Sequence, residues 1–276
     1  ADVIGMAGGD GSQATVASVA ADHDLGFVCV PTGTRNHLAL DLGVDRRDVV
    51  GALDAFGAAR ESRMDLGSVN GRVFVNNVSL GIYAEIVASE AYRDNKVRTV
   101  SNALPDLLGP GAPGFDLRVS APDGTITDVH LVQVSNGPYA VERLGAIGSR
   151  PRLDSGRLGG IVLRLGGPAE ATAFIALEAA GRADRFPGWR AWSAQELRVD
   201  SSSAVAAGLD GEAVELDPPL LFAIRPSAVR VRIAPHHPGV SPAATRPGIG
   251  RSTLIGLVRI LVGRPSGVIP DLASTS

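Results

Sequence analysis

The sequence predicts an incomplete parallel α/β segment followed by a mainly antiparallel β-sandwich. Three observations carry that prediction. From residue 1 to about residue 60, short apolar runs, glycine turns and helical patterns alternate, the rhythm of parallel strands joined by helices. From about residue 63 the pattern changes to short strands of alternating polarity. A chain of 276 residues with 45% hydrophobic content is also long and apolar enough for a substantial core.

In chain order, residues 3–7 and 27–30 read as strands, with a helix between them that Ser12 caps and that ends near Asp22. Helical spacing follows at 35–42 and 48–59. Strands are expected at 63–69, 72–80, 115–120, 128–136 and 161–165, and again at 196–201, 213–216, 220–224 and 229–233. Helical inserts are expected at 82–89, 96–108 and 169–180. The expected organisation is residues 1–60, then 61–235 with the last strand returning to the first part, then a Pro/Gly-rich tail at 236–276. Within that tail, 252–262 reads as a short amphipathic helix that packs on protein or touches a membrane surface. The chain opens directly inside a strand, so an N-terminal truncation is expected.

Composition narrows the chemistry. A formal net charge of -3 and 20% charged residues give no global basic field, which argues against nucleic acid as a partner. Lys96 is the sole lysine, so neither a Walker-type phosphate loop nor a Schiff-base lysine fits the glycine loops. Cys29 stands alone, which excludes an internal disulfide and suits a reducing compartment. No apolar run reaches transmembrane length, and a cytoplasmic location is expected.

Two loops carry the candidate chemistry. Gly8, Gly9, Asp10, Gly11 and Ser12 lie between a strand and a helix, where bare backbone can approach a phosphate and helix amides can donate to it. Asp10 could orient a magnesium ion or accept a proton. Pro31, Thr32, Gly33, Thr34, Arg35 and Asn36 follow the next strand in the same way, with Arg35 the nearest cation. Loops at the carboxyl ends of neighbouring parallel strands face one crevice.

Three further segments are Phe74-Val75-Asn76-Asn77-Val78-Ser79-Leu80-Gly81, Leu153-Asp154-Ser155-Gly156-Arg157-Leu158, and Gly208-Leu209-Asp210-Gly211-Glu212 followed by Arg225-Pro226-Ser227-Ala228-Val229-Arg230-Val231. In this order the segments resemble the diacylglycerol kinase catalytic-domain family, over about residues 3 to 235. The resemblance implies ATP and Mg2+ as cofactors, a lipid substrate at a membrane surface, and transfer of the ATP γ-phosphoryl group to a lipid hydroxyl, diacylglycerol first. It implies Asp210 as general base, with Asp10 and Glu212 beside it, and Asp154 in a metal-associated loop. A soluble kinase of the NAD kinase type and a non-catalytic lipid- or nucleotide-binding relative are the alternatives. Oligomeric state, a homodimer included, is left open.

Several positions depart from the family pattern. His37 stands where an acidic residue is common, Gln13-Ala14-Thr15 replaces an Asn-Glu pair, and Tyr83 replaces another acidic residue. Asp154-Ser155-Gly156 has one hard oxygen ligand fewer than the usual Asp-Asp-Gly. An Asn-Pro motif on a preceding strand is absent from the sequence.

Overall fold

The computed structural model describes residues 1–82, 115–140, 149–179 and 182–244. The expected helices at 82–89 and 96–108, Tyr83 and the 252–262 segment lie outside the described residues, apart from Ile82.

Strands β1 (Val3–Gly8) and β2 (Gly26–Pro31) are parallel neighbours, joined through helix α1 (Asp10–Asp22). All six residues of β2 are buried, because it lies between β1 and the final strand β14 (Leu220–Ile233) and is covered by the small residues Ala14, Ala17 and Ala20 of α1. A strand enclosed in this way reads in sequence as a continuous apolar run. Gly9, not Ser12, is the N-cap of α1: the helix starts at Asp10, so Ser12 sits within its first turn.

Helix α2 (His37–Leu42) starts two residues later than the spacing suggests, because Asn36 adopts a left-handed backbone with φ 51. The helix expected at 48–59 is only a 3-10 turn, Gly51–Phe56, bounded by Gly51 and Gly57, with the Asp48 side chain accepting the Gly51 N–H. The strand expected at 72–80 is broken into β4 (Arg72–Phe74) and β5 (Asn77–Gly81), for a reason given below. Conversely, the segments at 220–224 and 229–233 are one strand, β14, interrupted by a bulge between Arg225 and Val229.

The remaining strands are β3 (Arg60–Val69), β6 (Arg118–Ala121), β7 (Gly124–Ile126), β8 (Leu131–Ser135), β9 (Leu158–Leu163), β10 (Trp189–Ala194), β11 (Glu196–Asp200), β12 (Val205–Leu209) and β13 (Glu212–Leu216). A third helix, α3, spans Pro168–Ala179. One sheet is mixed, ordered β1-β2-β14-β11-β6-β7 with β3 on β14 and β4 on β3; the other is antiparallel, ordered β10-β9-β8-β5-β12-β13. Val69, Phe74, Leu197, Val199 and Phe222 of the first sheet pack on Val78, Leu80, Val132, Val134 and Val162 of the second, which makes the two sheets a sandwich. β14 takes part in both regions: its second half runs parallel to β2, and its first half pairs with β11.

Candidate functional site

The two glycine loops are adjacent because β1 and β2 are in register, with Gly8 opposite Pro31. Beyond the strand ends the backbones close in further, since a β-carbon at Gly33 would collide with the Gly9 Cα. Only glycine permits this approach. The second loop is locked from within: Asn36 Oδ1 accepts the Gly33 N–H at 2.9 Å, and its Nδ2 donates to the Gly33 carbonyl at 2.7 Å. Thr34 and Arg35 are exposed on the rim of the loop. No side chain caps the N-terminus of α1. Its first-turn amides, among them those of Gly11 and Ser12, have no partner within the helix and suit an anion.

Asp10 is buried, and it ties the loops together. Its two oxygens accept the N–H groups of His37 at 3.0 Å and Leu38 at 3.1 Å, so it caps α2 from the opposite loop. The pKa of His37, the first residue of α2, is lowered by burial, with Asp10 and Asp41 pulling the other way. Gln13 is turned inward, where its Nε2 donates to the carbonyls of Met6, Gly8 and Val30. It therefore fastens the ends of β1 and β2 rather than reaching into the crevice.

Asp210 and Gly211 form a two-residue turn between β12 and β13, both with positive φ, 49 and 89. The Asp210 carboxylate folds back onto the chain between β4 and β5. Oδ2 accepts the Val75 N–H at 2.8 Å, and Oδ1 accepts those of Asn76 at 2.8 Å and Asn77 at 3.1 Å. Val75 and Asn76, whose amides turn toward the carboxylate, fall outside the β-ladder, which is why the strand breaks here. Burial pushes the Asp210 carboxyl up to about 7, against the pull of the amides, and the charge of Asp10 adds to the rise. Oδ2 carries a single hydrogen bond and is the oxygen with room for a proton.

Glu212 brings this hairpin to the glycine loop. A β-carbon at Gly11 would lie 2.5 Å from Glu212 Oε1, so the carboxylate fills the space a side chain there would need. Asp210 sits in the turn, and only Glu212 is on a strand.

Sequence reasoning missed the polar layer beneath these groups. Arg150 is fully buried, with Nε on Asp41 Oδ2 at 2.7 Å, Nη1 on the carbonyls of Val75 at 2.6 Å and Asn136 at 2.7 Å, and Nη2 on Asn76 Oδ1 at 2.8 Å. Burial opposes its charge, but Asp41, Tyr139 and Asp210 together outweigh that and the pKa is raised. Arg150 thus joins α2 to the broken strand that holds Asp210. Asn77 Nδ2 donates to Tyr139 Oη at 2.8 Å, and burial raises that phenol to about 12. Asp65 is likewise buried, and accepts the Gly156 N–H at 2.6 Å and the Ser227 N–H at 2.8 Å. A charged residue within the apolar run of α2 or the inner face of β3 was the available signal for Asp41 and Asp65. Arg150 gave none.

Asp154 lies apart from these groups in character. It is exposed and paired with Arg152 through Nε at 2.9 Å and Nη2 at 3.2 Å, and this pairing holds its carboxyl below the usual range. With both oxygens taken by a guanidinium, and no cluster of metal-ligand atoms around it among the described residues, Asp154 does not fit a magnesium ion.

Residues 1–69 match the diacylglycerol kinase catalytic domain. Over that segment, a quarter of the chain, it is similar to the diacylglycerol kinase catalytic-domain family. A curated member, diacylglycerol kinase of Bacillus subtilis (strain 168), is 38% identical over 91 residues, 31% of this chain and 29% of the relative. The match thus spans less than a third of that kinase. Among solved structures, a protein of Bacillus anthracis strain Sterne described as a diacylglycerol kinase is similar with a TM-score of 0.64 at 21% identity, covering 85% of this chain and 79% of the other. A second such structure gives 0.56 at 17% identity, with 85% and 77% covered. At these identities the structural likeness speaks for the fold alone, and it covers far more of the chain than residues 1–69. Among the described residues no helix is long and apolar enough to cross a membrane.

Proposed function

We propose that this chain is a lipid kinase that transfers the ATP γ-phosphoryl group to a lipid hydroxyl, with diacylglycerol as the acceptor and phosphatidate as the product. The observation that carries this reading is the meeting of two distant motifs: the Asp210-Gly211-Glu212 hairpin lies against the glycine loop at Gly11, and Asp10 is near enough to raise the Asp210 carboxyl. A phosphate cradle and a carboxyl poised near neutrality are what alcohol phosphorylation requires.

The glycine loops fit a phosphate group, since they offer bare backbone at Gly9 and an uncapped helix terminus. When bound there, ATP supplies the phosphoryl group to be transferred. Asp210 Oδ2 takes the proton of the acceptor hydroxyl, and the three amides at Val75, Asn76 and Asn77 fix its orientation. Asp10 acts by holding the second loop in place through α2. Arg35, on the loop rim, is the cation placed to offset phosphate charge. Such an enzyme would work in the cytoplasm, at the membrane surface where its acceptor resides. The Arg152–Asp154 pair favours one other reading, a relative that binds nucleotide or lipid without efficient turnover.

Incubation with γ-labelled ATP, Mg2+, a panel of vesicle-borne lipids and, separately, NAD tests both. Label in phosphatidate supports the kinase. Label in NAD instead, or ATP binding without label in any acceptor, overturns it.

A further inference from the structure

Away from the glycine loops, three side chains from distant segments converge. Asp48 comes from the stretch between α2 and the 3-10 turn, and His236 and His237 from the segment after β14. Their potential ligand atoms all lie within 4.8 Å of one another. Asp48 Oδ2 is 3.3 Å from His236 Nε2 and 3.3 Å from His237 Nε2. Those distances are long for hydrogen bonds, which centre near roughly 2.9–3.0 Å. They match the edge of a tetrahedron with metal–ligand bonds of about 2.0–2.1 Å, an edge of about 3.3–3.4 Å.

The surroundings present these atoms to a common point. The Gly51 N–H holds Asp48 Oδ1 at 2.9 Å, which leaves Oδ2 facing the two imidazoles. Behind the cluster, a β-carbon at Gly51 would run into Asp48 Oδ2 and His236 Nε2. The far nitrogen of His236, Nδ1, is 3.9 Å from Asp54 Oδ2, outside hydrogen-bond reach. His237 is buried and fixed, whereas the His236 side chain is 47% exposed, so the cluster opens to solvent on one side.

We propose that Asp48, His236 and His237 form a three-ligand site for a divalent transition ion of the Zn2+ type, its fourth position open to water. Two imidazoles and one carboxylate suit zinc and not magnesium. Loading puts the His237 proton on Nδ1, and the long 3.3 Å contact from the Asp45 N–H to that nitrogen is given up. The bound ion clips residues 45–54 to the end of β14. This inference is independent of the kinase reading.

The test uses the untagged full chain, stripped with a chelator and titrated with Zn2+ alone by calorimetry, with Co2+ as the spectroscopic probe. Stoichiometric binding is expected, with the visible absorption of four-coordinate Co2+ and a rise in Tm on adding Zn2+. His236→Ala, at a half-exposed position, and Asp48→Asn should each weaken Zn2+ binding roughly tenfold or more and remove the Tm rise. Melting of each variant without metal, compared with the stripped wild type, separates loss of the ion from loss of the fold. Absence of stoichiometric binding by the wild-type chain, or wild-type affinity in both variants, overturns the proposal.

Discussion

Two regions meet at the candidate site, and they are built in opposite ways. The glycine loops come together because side chains are missing: Gly9 and Gly33 touch through bare backbone, and Gly11 leaves room for Glu212. The layer beneath comes together because charged side chains are buried: Asp210 gathers three amides, Asp65 two, and Arg150 spans α2 and the broken strand. The first construction leaves amides available to an outside anion. The second consumes its donors internally and fixes where a single carboxyl stands. On the proposed function, ligand contact falls to the loops and positioning to the layer, with Asp210 bridging the two.

The sharpest way to break that division is Asp210→Asn. If the carboxyl is the base, turnover should fall about 10²–10⁴-fold while nucleotide affinity holds. In the wild-type chain the rate should climb as pH rises through about 7, where Asp210 loses its proton. The stability sign runs the other way. The folded carboxyl is raised from 3.8 to about 7, so its contribution is present below 3.8 and is lost as pH rises toward 7. Urea melts at stepped pH should show this decline in the wild type and not in Asp210→Asn.

Next in size is Arg150→Met, which keeps length but strands a buried Asp41. It should cost about 3–5 kcal/mol in a denaturant melt, and adding Asp41→Leu should recover most of that, because removing both charges leaves neither unpaired. A cost that the double variant does not reduce would mean that shape, not charge, sets the layer. Gly33→Ala sits on the other side of the comparison: the new methyl meets the Gly9 backbone, and a loss of about 1–3 kcal/mol is expected together with weaker nucleotide binding by calorimetry. The smallest effect should come from Asp154→Asn, whose ion pair with Arg152 is exposed; stability should move by less than about 0.5 kcal/mol.

The same contrast explains what could be read from the sequence. β1, β2 and α1 were legible because a strand covered on both faces is a plain apolar run, and Gly-rich turns mark its ends. The hairpin at Asp210-Gly211 follows from that pair's tolerance of positive φ. The break between β4 and β5 was not legible, since the carboxylate that draws off the amides of Val75 and Asn76 comes from a distant hairpin. Arg150 was equally silent. Its neighbours look like an ordinary loop, and its burial depends on Asp41, more than a hundred residues earlier.

β14 carries one more consequence, for the order in which the structure can form. The family-matched segment ends at residue 69, yet β2 within it is completed by residues 230–232 and β3 by residues 222–233. Until β14 is available, β2 presents an unpaired apolar edge and β3 lacks its long partner. Such pairing across most of the chain is entropically slow. The glycine loops, although encoded near the start, thus reach their final spacing only after the last strand docks, so residues 1–69 are not a unit of folding.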